Sequence, residues 1–150
     1  IKRSLFFDMN SISFCNAETL DKFKKIELLK DYIERKQKEV SEYNKANNVD
    51  TTEITNGRHL TNIGTFRKYI EAYLRSNSKI HKDMTFLVRQ LDPTEKGLPI
   101  QIYVFTNDTD WVRYEGIQGD IFDHLLAVIP EFGLRLFQSP TGKDFGKLVK

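Results

Sequence analysis

The sequence predicts an α+β fold whose elements follow the order βαββαβ, with a long helix inserted between the first strand and the first helix of that order. Three observations carry the prediction. Residues 83–105 hold two alternating runs around a turn: Met84, Phe86 and Val88 alternate with Thr85, Leu87 and Arg89, and Ile100, Ile102 and Val104 share a face. Between them Pro93, Gly97 and Pro99 supply turn chemistry, so strand, turn and strand form a hairpin. From Trp111 the apolar residues Ile117, Ile121, Leu125 and Val128 recur at helical spacing. With a strand and a helix ahead of it and LRLFQ behind it, this unit is the split, ferredoxin-like arrangement.

Each element has its own justification. In residues 3–9, Leu5, Phe7 and Met9 alternate with Ser4, Phe6 and Asp8, which is a strand pattern. Asn16 is placed to cap a helix, and a helical pattern then runs to about Tyr43. Its stripe is Ile26, Leu29, Ile33, Val40 and Tyr43, interrupted by Lys36. Asp31 with Arg35 and Glu34 with Lys38 are spaced as favourable i,i+4 pairs. The polar run NKANNVDTT and the Asn56-Gly57 turn follow, with a short strand expected around residues 58–60. Thr61, Asn62 or Thr65 caps a second helix with Phe66, Tyr69, Ile70, Tyr73 and Leu74 on its apolar face, ending at Ser76. Asp108 or Thr109 opens the Trp111 helix, where Asp110 suits the positive end of the dipole, and Gly133 stops it.

The expected organisation is therefore residues 1–12 as the first strand, continuing from an upstream β-domain. Residues 13–57 are an inserted helical arm and loop, 58–142 the ferredoxin-like domain and 143–150 a basic tail. A chain of 150 residues suits one domain with one appended element. A net charge of +2 does not by itself point to nucleic acid, and 29% charged residues is ordinary for a globular chain. The lone Cys15 excludes an internal disulfide. No run approaches the roughly 20 apolar residues of a membrane helix, since HLLAVIP is broken by Pro130 and Glu131. Beginning at IKRSLFF, already in a strand, the chain reads as part of something larger.

The search for chemistry yields little. Cys15 has no histidine nearby in sequence and reads as a buried, idle thiol. Asp120 and His124 are one helical turn apart, but two ligands without a third do not define a metal site. His59 and His81 are isolated loop residues, and SPTGK lacks the pattern of a phosphate loop. The aromatic strand IYVF suggests an RNA-stacking sheet, yet it lacks the signature of that class, and Tyr103 and Phe105 are expected to pack under another element. No catalytic residue, cofactor or metal is expected.

The runs HLTNIGTFRKYIEAYL, HKDMTFLVRQLDPTEKGLPIQIYVFT and DIFDHLLAVIPEFGLRLFQSPTG stand here in that order. Together with KRSLFFDMNSI and ELLKDYIE, they closely resemble the cytoplasmic C-terminal region of MscS-like mechanosensitive channels, nearest to the miniconductance, YbdG-like branch. The resemblance spans nearly the whole chain. It implies the cytoplasmic cage of a bacterial inner-membrane, homo-heptameric channel that opens on membrane tension and releases solutes in hypoosmotic shock. Membrane contact would come through upstream helices, with no nucleic-acid partner. The long arm departs from the best-known members. The alternative is a soluble ferredoxin-like regulatory or RNA-binding module.

The strand pattern carries one further expectation. One pleat should hold Phe7, Met84, Phe86, Ile100, Ile102 and Val104 under two helices. The other carries Phe6, Leu87, Tyr103, Phe105 and Phe137, too apolar to stand open. The Ala17–Tyr43 helix, from the same chain or a neighbouring copy, is expected to cover part of it.

Overall fold

The computed structural model describes residues 1–140 together with Gly142 and Gly146. Its strands are β1 (Lys2–Phe7), β2 (Ile80–His81), β3 (Leu87–Gln90), β4 (Leu98–Tyr103) and β5 (Phe105–Thr106). Its helices are α1 (Ala17–Lys24), α2 (Lys30–Ala46), α3 (Asn62–Arg75) and α4 (Trp111–Val128). The fold is mixed α+β. A three-stranded antiparallel sheet has the order β1-β4-β3, and β2 pairs with β5. Beyond β1, Leu136 bridges antiparallel to Phe7, while the backbone N–H of Phe137 donates to Phe6.

Register places the side chains. Leu5 lies opposite Ile100, Phe7 opposite Leu98 and Val88 opposite Ile102. Because side chains alternate along a strand, these share the inner pleat, and Lys2, Tyr103, Leu87, Gln101 and Arg89 share the outer one. The inner pleat meets Phe66, Ile70 and Leu74 of α3 and Ile121, Phe122 and Leu125 of α4 in one core. Phe7 contacts Phe66 edge-to-face at 5.7 Å, and Arg3 lies 4.2 Å from the Phe122 ring centroid. Gly97 closes the β3–β4 loop at φ 90°, where any Cβ would collide with the Phe7 carbonyl. Only glycine fits there.

The arm begins and ends at one place. Phe14 bridges Thr61, the Cys15 N–H donates to Leu60 at 2.9 Å, and the Asn62 N–H donates to Ser13 at 3.0 Å. From this base α1 sets Phe23 against Phe132, stacked at 5.0 Å, and Leu29, just ahead of α2, and Ile33 within it are buried completely. The arm closes at Asn44. Its amide donates to the Arg58 carbonyl at 3.0 Å and accepts from the Arg58 N–H at 2.9 Å. Gly57, at φ 68°, passes close beneath Asn44 and Val49.

Several expectations are corrected. The inserted helix is two helices, because residues 25–29 form turns. Six residues apart on one straight helix, Phe23 and Leu29 would diverge by about 120°; the break lets both enter the core. Within one chain the arm does not cover the outer pleat: it packs on the α3 base and on the 3-10 turn Ile129–Phe132, and Leu87 remains 43% exposed. β1 stops at Phe7, before a 3-10 turn capped by Asp8. β3 starts at Leu87 rather than Asp83, since the His81 ring Nδ1 accepts from the N–H groups of Asp83 and Met84 and turns that segment; Met84 is exposed, not inner. The IYVF run divides at Val104, and β5 leaves to pair with β2, which the sequence reading missed. LRLFQ contributes the Leu136 bridge and no named strand among the described residues. Asp31–Arg35 and Glu34–Lys38 are not among the ion pairs formed, whereas Lys36–Glu39 is. The basic tail lies outside the described residues apart from Gly146.

Candidate interaction surface

The ionisable groups singled out in the sequence are in structural employment. Cys15 is buried at the arm base, and burial pushes its thiol up to about 11, against a smaller opposing pull from Thr65. A thiol held protonated is not a nucleophile. His124 is occupied by aromatic partners. Its Nε2 lies 2.6 Å from the Tyr69 hydroxyl, and its ring stacks on Tyr73 at 4.2 Å and 7°. Burial raises both tyrosines, with the charge of Asp120 adding to Tyr73. No group of three potential metal ligands occurs among the described residues, so Asp120 and His124 gain no third partner there. His59 bonds the Asn56 carbonyl at 2.8 Å, and His81 organises its own turn.

Asn62 is the residue sequence reasoning read only as one of three possible caps. The cap is Thr61, whose hydroxyl accepts from Gly64. Buried Asn62 instead donates to the Ser11 and Phe132 carbonyls at 2.8 and 3.2 Å and accepts from Ser13 at 3.0 Å. It ties α3, the arm base and the turn before Gly133 together. A polar residue placed two before Gly64 carries no such signal in sequence.

An open cavity of about 660 Å³ lies between α2 and the loop after it, lined by Leu20, Val40, Ser41, Lys45, Asn48 and His59 among others. Its size suits a small molecule, but Asn44 on its wall is spent on Arg58 and Cys15 is protonated.

The features left without a structural explanation are surfaces. Trp111 and Val112, at the start of α4, are 70% and 76% exposed. Asp110 caps that helix by accepting from Arg113, fixing Trp111 beside Tyr114 at 5.9 Å. Trp111, Met84 and Phe105 line a shallow depression of about 490 Å³. Phe105 meets Tyr103 of the outer pleat edge-to-face at 5.7 Å. There Lys2 lies 5.1 Å over the Tyr103 ring, and Arg89 donates to Gln101 at 2.9 Å. Trp111, Met84 and Leu87 are exposed, with Tyr103 and Phe105 half-buried beside them.

No helix among the described residues is long and apolar enough to cross a membrane. No protein-family model matches the sequence.

Proposed function

We propose that this chain is the cytoplasmic part of a tension-gated channel assembled from copies of itself. In particular, it is read as the cage domain of an MscS-like mechanosensitive channel of the YbdG-like branch. The observation that carries the reading is the run of exposed Trp111, Met84 and Leu87 beside half-buried Phe105 and Tyr103, which favours a protein neighbour. The ordered motifs from TNIGTFR to FGLRLFQSPTG supply the family. The ferredoxin-like reading belongs to the same proposal. It is supported by residues 135–137 lying beside β1, which gives the edge-to-edge sequence 135–137, β1, β4, β3. Membrane attachment at the bacterial inner membrane and a heptameric ring are part of the proposal through that resemblance. No catalysis, cofactor or metal is invoked.

The test is physiological. The full-length protein, expressed in bacteria stripped of their mechanosensitive channels, should restore survival after a hypoosmotic downshift and give tension-gated currents in excised patches. Normal membrane expression without rescue or current would overturn the reading. A second reading, a soluble RNA-binding module, is favoured by Lys2 and Arg89 beside Tyr103 and Phe105, because single strands bind by stacking on aromatics among cations. Fluorescence anisotropy with labelled single-stranded RNA separates the two.

A further inference from the structure

We infer that copies of this chain join head to tail, with an exposed flank of α4 in one copy seated on the outer pleat of the β1-β4-β3 sheet in the next. The inference rests on the homo-oligomeric reading above and names the two surfaces that meet. The first is the sheet. Its outward charged residues are Lys2 and Arg89, and β1, β3 and β4 contain no Asp or Glu. Around these cations stand Leu87 and Tyr103, uncovered by the arm.

The second surface is an exposed flank of α4. α4 lies over the inner pleat, with Phe122 against Arg3 and with Ile121 and Leu125 buried. At 100° per residue, Val112, Glu115, Gly119, Asp123 and Leu126 fall within one sector of about 80° that borders Phe122, and all five are exposed. Val112 and Leu126 are its apolar ends. Gly116 and Gly119 leave a flat centre, since a Cβ added to either would meet nothing within 4 Å. Glu115 and Asp123 carry its charge.

Opposite charge makes the pair complementary. The two are different surfaces of one molecule, since Lys2 and Arg89 stand on the outer pleat whereas α4 packs against the inner one through Phe122 and Arg3. Neither Lys2, Arg89, Glu115 nor Asp123 is in an ion pair among the described residues. A contact between different surfaces of identical chains is heterologous, and repeated rotation closes it into a ring or extends it as a filament. Trp111, beside the α4 face, would anchor the edge of the contact, as exposed aromatics do at association sites.

Two chain preparations test this, one carrying Gln101→Cys on the sheet and one Gly119→Cys on α4, both with Cys15→Ala. Mixed at high concentration under mild oxidation, they should give the 101–119 disulfide in excess over either symmetric link. In sedimentation, Glu115→Lys with Asp123→Lys should weaken self-association roughly two- to thirtyfold, from two rim ion pairs of the usual strength. Adding Lys2→Glu and Arg89→Glu to the same chain should restore it. An oligomer giving only symmetric links, or charge reversals with no effect, sinks this contact and leaves the homo-oligomer reading in place. A chain that remains monomeric at millimolar concentration overturns both. Loss of RNA binding, rather than of self-association, in the Lys2 and Arg89 variants would assign the sheet face to the other class of partner and overturn the inference.

Discussion

At the scale of single residues, polar side chains bolt the arm to the body. Asn62 serves Ser11, Ser13 and Phe132 at once, so Asn62→Ala strands two buried carbonyls and the part-buried Ser13 N–H. Each unsatisfied buried group costs about 1–3 kcal/mol. The variant should therefore lose several kcal/mol in urea unfolding, whereas exposed Asn10→Ala should change it little. Equal losses would refute the role. Cys15 makes a second prediction. With its thiol up at about 11, it should resist an aromatic disulfide reagent at pH 8 in the folded chain and react fully once urea unfolds it. Rapid labelling of the native protein would show the arm base to be open. Asp8 makes a third, with a defined sign. The Asn10 N–H first, and then Arg135, hold its carboxyl below the usual range. Its contribution is thus present above the unfolded carboxylate range and fades as pH falls through the folded value. Asp8→Asn should lower the melting temperature at neutral pH, and the gap to wild type should close on acidification.

At the scale of elements, the arm shows what periodicity conveys and what it omits. Leu29 and Ile33 were legible as an apolar stripe, and both are fully buried. The break between α1 and α2 was not, because residues 25–29 contain neither Gly nor Pro and the turn is imposed by what Phe23 and Leu29 must both reach. Phe23→Ala should cost about 3–5 kcal/mol, the usual range for deleting a fully buried phenylalanine, since it removes the stack on Phe132. Exposed Leu28→Ala in the turn should cost far less; a reversal of that order in thermal unfolding would place the arm differently. Elsewhere the alternation of Leu5, Phe7, Ile100 and Ile102 predicted their common face correctly, as register requires. It could not predict that β5 departs to β2. Pairing of two-residue strands depends on a neighbour distant in sequence, and Ile80–His81 is too short to show a period. The outer pleat was half legible: its aromatics stood out, but the arm of the same chain docks elsewhere, because stripe length says nothing of where a helix docks.

At the scale of the whole molecule, the arm and the outer pleat are separable, and one pair of experiments distinguishes them. The arm contributes Phe23, Leu29 and Ile33 to the shared core and shields the α3 base and Phe132. Each such burial is worth roughly 1.5–3 kcal/mol. Replacing residues 16–58 with a short Gly/Ser linker should therefore lower the melting temperature sharply and raise binding of a hydrophobic dye, through newly exposed Phe132 and Leu60. Changes on the outer pleat should behave otherwise. Leu87→Ser removes a side chain that is 43% exposed and packs little within its own chain. Its melting temperature at low concentration should stay near wild type, while association at high concentration weakens. Dilution is the discriminating variable, because a contact between chains stabilises by mass action and one within a chain does not. If Leu87→Ser unfolds early even when dilute, the outer pleat belongs to the monomer's own packing. If the arm-deleted chain melts unchanged and binds no dye, the arm is an ornament of the fold rather than part of its core.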